Sequence, residues 1–381
     1  MKNLIIGITL FMSIHLLVLA ENYEDVYNEA VKWGQKYHVF KVDIPKIQKL
    51  AKKLDNGAVS FMLDKIKNYP DDIAIVFLGA LKDSRAVEPL IKILQEERID
   101  NKRPKIDNER TVGYAIWALG QIGDKRATAP LIEIMNQGKG GQFILDAIGN
   151  LGDERAVLPL IERFKKGIIF AAYPLGQLKD PRGLEVLYQA IGTYKESEID
   201  PVIAQASPSL KYYSDWVVAR GLTIANTPLA LEMLSNIIFD EKRPLGIRVT
   251  TLDALGNGLP YGGNQYVVYT APSPESFNII LKAANDKEPE IRIEALTGLG
   301  NFRTKKEEIQ PILLKMLENE TVNDVRMHVI YALSDIGDEN VINDLQGVIE
   351  KEKDQRLQMA ARLGIKNITE RVEKEKAEKE K

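Results

Sequence analysis

One phrase recurs along this chain, at a period that no isolated helix or strand needs. Leu78–Leu90 reads LGALKDSRAVEPL, Leu119–Leu131 reads LGQIGDKRATAPL, Ile148–Leu160 reads IGNLGDERAVLPL and Leu175–Leu187 reads LGQLKDPRGLEVL. Self-similarity of this kind belongs to stacked supersecondary units, each burying its apolar face only against its neighbours. The phrase therefore predicts an all-α solenoid of helix pairs, about seven or eight of them. It also predicts a chain that presents surface more readily than one closed pocket.

The clearest copy lies near the C-terminus, in DVRMHVIYALSDIGDENVINDLQGVIE. Val325, Val329, Ala332, Leu333 and Ile336 form the stripe of one amphipathic helix, and Val341, Ile342, Leu345, Val348 and Ile349 that of a second. Between them, Gly337 is expected to end the first helix in the left-handed conformation. Asp338 is expected to accept bonds from the free amides that open the second helix. So short a break between two stripes forces an antiparallel pair. The spacings agree: Gly79 to Gly120 is 41 residues, Gly120 to Gly149 is 29, Gly149 to Gly176 is 27, Gly300 to Gly337 is 37 and Gly337 to Gly364 is 27. Units of 27–29 residues hold two short helices and their turns.

Longer spacings imply insertions. Residues 95–110 (QEERIDNKRPKIDNER) are almost wholly polar. Residues 194–214 carry Pro201 and Pro208 and cannot form one helix. Residues 256–274 (GNGLPYGGNQYVVYTAPSP) surround a QYVVYT core able to form a short strand or hairpin. One degenerate unit replaces the phrase by Ile224-Ala225-Asn226-Thr227-Pro228, with Asn226 read in the place of the usual Asp. The array is thus expected over 71–369, preceded by a helical cap over 21–70 whose likely segments are YEDVYNEAVKWG and IPKIQKLAKKL, and followed by a charged tail over 370–381 that frays.

The N-terminus carries an address. Lys2 supplies a positive start, Leu4–Leu19 is largely apolar, and Val18-Leu19-Ala20 offers small residues for a signal peptidase before Glu21. The expectation is a cleaved signal over 1–20 and a periplasmic or secreted protein. The alternative is an uncleaved N-terminal anchor facing outward. No later stretch is long and apolar enough to span a bilayer, so none is expected in the mature chain.

Composition excludes several classes. The formal net charge of −3 gives no electrostatic drive toward nucleic acid. The absence of cysteine removes disulfides, thiolate catalysis and zinc–cysteine sites. Hydrophobic residues at 45% and charged residues at 28% describe a folded chain.

The pattern V-R-x-x-x-x-x-A-L-x-x-I-G-D at Val325, Arg326, Ala332, Leu333, Ile336, Gly337 and Asp338 resembles HEAT-like repeats of the type found in phycobilisome lyases. So does D-x-R-A-x-x-P-L at Asp124, Arg126, Ala127, Pro130 and Leu131, and at Asp153, Arg155, Ala156, Pro159 and Leu160. The resemblance implies the fold over most of the chain and says little of function. Hydroxylases of this fold use His-Glu pairs, whereas His15, His38 and His328 are followed here by Leu, Val and Val.

Single features that invite chemistry have plainer explanations. An Asp-x-Arg turn needed once for catalysis need not recur, so Asp83, Asp124, Asp153 and Asp180 read as helix caps whose arginines tie adjacent turns together. Gly138-Lys139-Gly140-Gly141 lacks the context of a phosphate cradle and reads as a turn. His328 reads as a packing residue. No cofactor or metal site is expected.

Two surfaces remain as candidates for a protein or peptide partner. Tyr212, Tyr213 and Trp216 flank one insertion; Tyr261, Asn264, Gln265, Tyr266 and Tyr269 lie in the other, and the two insertions are expected to sit close together. The rival reading is that the aromatics pin these loops down. Lys92, Glu133, Glu162, Gln189 and Ser235 follow the apolar pair of successive second helices and are expected to line one concave ridge. The sequence thus points to a non-enzymatic exported scaffold. The alternative is an enzyme or chromophore-handling protein with a pocket between the two insertions.

Overall fold

The computed structural model describes residues 23–32, 42–55, 57–68, 70–95, 105–193, 213–256 and 273–379. Among these residues every regular element is helical, as the repeated phrase predicts. The chain divides into two compact units, one of residues 1–165 with 173–178, the other of 166–172 with 179–381.

The first unit begins with α1 (residues 23–32), α2 (Ile44–Ala51) and α3 (Ala58–Ile66). They bury Val26, Ile47, Leu50, Val59 and Met62, and Tyr27 Oη donates to Asp71 at 2.6 Å. Helix pairs follow: α4 (Asp72–Leu81) with α5 (Val87–Gln95), α6 (Lys105–Ile122) with α7 (Thr128–Asn136), and α8 (Gly141–Leu151) with α9 (Val157–Lys165). Helix α10 (Ala172–Leu178) stands at the boundary. The second unit holds α11 (Pro181–Ala190), α12 (Tyr213–Ala225) with α13 (Pro228–Phe239), α14 (Leu245–Gly256) with α15 (Phe277–Ala283), α16 (Pro289–Leu299) with α17 (Lys306–Asn319), α18 (Asn323–Ile336) with α19 (Val341–Lys351), and α20 (Gln355–Lys379).

Within each unit the first helices stack closely on one another, α4 on α6 on α8 and α12 through α20, while the second helices touch each other sparsely. The phrase's first glycine explains the difference. A Cβ on Gly79 would lie 2.7 Å from Ala118 Cα, one on Gly120 2.6 Å from Ala147 Cα, and one on Gly256 3.1 Å from Gly298 Cα. Backbones this close leave no room for a side chain, so the pair is narrow on its first-helix side.

The second conserved place in the phrase, just before the Asp, requires positive φ. Lys82 (55°), Gly123 (75°), Gly152 (59°), Lys179 (57°) and Asn226 (46°) all occupy it. This corrects two expectations. Asn226 does not replace the capping Asp; it takes the left-handed place, which asparagine tolerates best after glycine. Thr227 is the cap, its side chain accepting from the Ala230 amide at 3.2 Å. Gly337 is not left-handed but extended, at φ −64° and ψ 156°. It is small because a Cβ would meet Leu333 O at 2.5 Å. Asp338 does cap, accepting from the Asn340 amide at 3.0 Å.

Two ladders fasten repeat to repeat, one within each unit. In the first unit, Asp83, Asp124 and Asp153 each accept from the amide of the arginine two residues on. Arg126 Nη2 reaches back to Ser84 O at 3.1 Å and Arg155 Nη2 to Lys125 O at 2.7 Å, so the arginines do tie adjacent turns. Asp153 is buried and also accepts from Thr128 Oγ1 at 2.8 Å. The hydrogen bonds from Arg155, with that from Thr128, hold its carboxyl well below the usual range. In the second unit the ladder is ionic and runs from each first helix to the turn that follows its own second helix: Arg248 to Asp286 at 2.8 Å, Arg292 to Glu320 at 2.8 Å and Arg326 to Glu352 at 2.6 Å.

Two boundaries differ from expectation. Lys105–Arg110 of the first polar insertion is helical and extends α6, where Arg110 pairs with Asp72 at 3.3 Å. The charged tail continues α20 through Lys379. Arg371 donates to Ser334 O at 2.6 Å and to Gly337 O, satisfying carbonyls at the C-terminus of α18, and Lys376 reaches Glu339 at 2.5 Å.

Candidate recognition surfaces

Helix α12 places four expected or neighbouring residues in its first turn. Tyr213 and Trp216 are three apart, so their rings share a helix face and stack, with centroids 6.5 Å apart and planes 13° off parallel. Trp216 is only 8% exposed, whereas Tyr213 is half-buried, and burial raises the Tyr213 phenol's pKa. The indole is thus a packing residue, and Tyr213 is the outward member of the pair. Between them, Asp215 is buried and accepts from the Gly192 amide at 2.6 Å. Burial raises its pKa, against the pull of that amide and of Arg243. Arg243 Nη1 donates to Ile191 O at 3.0 Å while its guanidinium lies 5.7 Å from the Tyr188 ring centre. Ser214 Oγ and Trp216 Nε1 have no hydrogen-bond partner among the described residues. Tyr212, Tyr261, Asn264, Gln265, Tyr266 and Tyr269 lie outside the described residues, as do His38 and residues 1–20.

The attachment points of the two insertions do not come together. Tyr213 opens α12 at one end. The other insertion leaves from Gly256 and returns at Ser273, whose Oγ donates to Asn226 Oδ1 at 2.6 Å, at the opposite end of α12. Arg220 and Thr223 both donate to Ala254 O, which fixes the C-terminal halves of α12 and α14 side by side. Thirteen residues of helix, about 20 Å at 1.5 Å per residue, separate Tyr213 from Asn226.

Lys92, Glu133, Glu162 and Gln189 are exposed and Ser235 is half-buried, each on a second helix. They therefore occupy the wide side of their units. The closely packed side belongs to the first helices. In the first unit that side carries Trp117, whose ring covers Gly79, and Phe143, which covers Gly113. It also carries Asp146, solvent-exposed yet with protein on most sides: desolvation pushes its carboxyl up to about 6. In the second unit the first helices present Tyr331, 39% exposed, against which His328 stacks edge-on at 5.6 Å. His328 Nδ1 also lies 2.8 Å from Asp324 O, so the imidazole is held locally. Desolvation also raises the Asp335 carboxyl, against the pull of Arg303 and Arg371. The sequence carried a signal for this side: the glycine within the first helix marks where backbones crowd.

The glycine-rich stretch near Lys139 is a turn from α7 to α8, with Gly138, Gly140 and Gly141 all at positive φ. Among the described residues no group of three or more His, Cys, Asp or Glu side chains could hold a metal ion, and no described helix is long and apolar enough to cross a membrane.

Comparison with known proteins agrees with the repeat. Residues 277–366 match the family model described as HEAT repeats. Residues 73–96 and 112–137 match that of the PBS lyase HEAT-like repeat. No curated protein matches the chain. Among solved structures, human deoxyhypusine hydroxylase in complex with glycerol is similar at 18% identity, covering 77% of this chain and 99% of its own, with a TM-score of 0.30. The complex of CpcE and CpcF of phycocyanin lyase from a Nostoc species is similar at 18% identity, covering 73% and 94%, with a TM-score of 0.33. An engineered protein is similar at 13% identity, covering 90% and 99%, with a TM-score of 0.31. Residues 277–366 thus carry HEAT repeats, and residues 73–96 and 112–137 repeats of the PBS lyase HEAT-like type.

Proposed function

We propose that this protein is a non-enzymatic, exported HEAT-repeat scaffold that binds a protein or peptide along the first-helix sides of its units. The observation that carries this reading is the close stacking of first helices within each unit, which presents Trp117, Phe143 and Asp146 in the first unit and Tyr331 in the second. A partner meeting such a face loses little of the protein's conformational entropy, because the helices are already ordered. In the second unit one insertion enters at the N-terminal end of α12 and the other leaves from the C-terminal end of α14, beside the C-terminal end of α12, and each offers tyrosines to a bound segment.

The carboxylates on these faces, Asp146 in the first unit and Asp335 in the second, disfavour a polyanion. A photo-crosslinking side chain placed at Trp117 or Tyr331 is expected to trap a partner in the cell envelope. The same group at Glu133 or Glu162 is expected to trap none. Crosslinks confined to the second-helix positions would reverse the assignment of the binding side.

A further inference from the structure

In the first unit the crowded glycines set a register between successive first helices. A Cβ on Gly79 would meet Ala118, one on Gly120 would meet Ala147, and one on Gly149 would meet Gln177 and Pro174. Ala118, Ala147 and Pro174 each stand two residues before the phrase's own glycine in the next first helix. The residue just before each of them is Trp117, Asp146 and Tyr173 in turn. The Trp117 ring lies over Gly79, with Cζ3 2.7 Å from the Cβ position, and Tyr173 is buried. Two repeats thus put an aromatic ring at this place. The repeat between them puts an exposed carboxylate there, and the nearest atoms over Gly120 are all those of Ala147.

Two facing stripes set the surroundings of that carboxylate. On α6, Gly113, Trp117 and Gly120 follow at spacings of four and three; on α8, Phe143, Asp146 and Ala147 lie within about one turn. Phe143 covers Gly113, with Cδ2 3.2 Å from the Cβ position, and Ala147 abuts Gly120. Asp146 therefore stands at the seam of the two helices, flanked by two half-buried rings, Phe143 on its own helix and Trp117 on the neighbouring one. Among the described residues no hydrogen bond or ion pair offsets its charge, which the surrounding protein disfavours. An uncompensated carboxylate beside aromatic faces is the complement of a cation. An ammonium or guanidinium group would meet the carboxylate and lay its charge and aliphatic stem against the rings. An apolar segment laid here would bury the carboxylate unpaired.

We propose that this place takes the cationic head of a lysine or arginine side chain from the bound polypeptide, with Asp146 as counter-ion and Trp117 and Phe143 as its walls. The proposal rests on the scaffold reading and adds the partner's chemistry: the segment that meets the first unit carries a basic residue here.

The test is titration of the full chain, its tryptophan indoles isotope-labelled and followed by NMR, with acetyl-Gly-Gly-Arg-Gly-Gly-amide and its lysine and glutamine counterparts. Peptide runs from about 0.1 to 20 mM in about 0.15 M salt, which screens unspecific attraction. Trp117→Phe identifies the Trp117 signal by its loss. The arginine and lysine peptides are expected to move that signal saturably, with a dissociation constant on the order of 1 mM for one side-chain contact. The glutamine peptide is expected to leave it in place. Asp146→Asn is expected to weaken binding about fivefold or more. Glu154→Gln, the same change of charge at an exposed turn after α8, is expected to leave binding unchanged. A Trp117 signal that neither basic peptide moves, or that the glutamine peptide moves as far, overturns the proposal. So does an Asp146→Asn chain that binds as well as wild type. Envelope crosslinks at Trp117 or Tyr331 beside any of those results would leave the scaffold reading standing without its basic residue. Specific binding of the basic peptides with no such crosslink would keep the cation site and remove the scaffold reading.

Discussion

At the scale of single residues, the two glycine places in the phrase do different work, and substitution separates them. Gly120 faces the backbone of the next first helix, so Gly120→Ala forces two helices apart and is expected to cost about 1–3 kcal/mol. Gly123 has open space around its Cβ position but a φ of 75°; Gly123→Ala is expected to cost about 1 kcal/mol through backbone strain alone. Gly123→Asn should recover much of that, since Asn226 holds the equivalent place in another unit. Urea midpoints of the three variants check the order. The sequence reading put the left-handed conformation at Gly337 and missed the place before the Asp, where Lys82 and Lys179 carry no sequence mark of positive φ.

Asp146 gives a second test at this scale. Its folded carboxyl is raised from 3.8 to about 6 by desolvation, with no partner to offset the charge. A raised carboxyl destabilises the fold increasingly as pH climbs from about 4 to about 6, and by a constant amount above that. Asp146→Asn is therefore expected to stabilise the protein at pH 7, by no more than about 1 kcal/mol given solvent screening of an exposed side chain. The gain should vanish below pH 4. Thermal midpoints at pH 3.5 and pH 7.5 measure both ends, and equal effects at the two would contradict the assignment.

Among elements, the apolar stripes were enough to place the helices, including α18 and α19 and the cap segments α1 and α2. They were not enough to place the turns and ends. Lys105–Arg110 looked like loop because its polarity hides helical residues held by Arg110 and Asp72. The tail looked frayed because its anchors, Arg371 and Lys376, act on carbonyls and a carboxylate more than thirty residues earlier. The ionic ladder of the second unit is a long-range feature of the same sort. Arg248 is 4% exposed on its side chain, bound to Asp286 and to Ile238 O. Arg248→Met keeps the volume but strands a buried carboxylate and a carbonyl, and is expected to cost about 3–5 kcal/mol. Lys287→Met, which breaks an exposed pair with Glu241, is expected to leave the urea midpoint almost unchanged. A comparable loss from both variants would show that burial does not set the strength of these pairs.

On the scale of the whole molecule, periodicity told which face of each helix is buried but not which helices crowd together. That choice decides where a partner can lie, and it rests on close approaches such as Gly79 to Ala118, which link residues some forty apart. The N-terminal address belongs to this scale as well. Helix α1 starts at residue 23, and its Tyr23, Val26 and Tyr27 are buried within the first unit. An uncleaved anchor ending at Ala20 would hold this packed cap within three residues of the bilayer edge, where headgroups compete for the same apolar side chains. Cleavage after Ala20 would leave the cap clear of the bilayer. Protein recovered from the cell envelope is therefore expected to begin at Glu21 by N-terminal sequencing and to leave the membrane fraction in high salt. A chain that keeps Met1 and resists extraction would be an anchored one, and its first-helix faces would then meet partners only at the membrane surface.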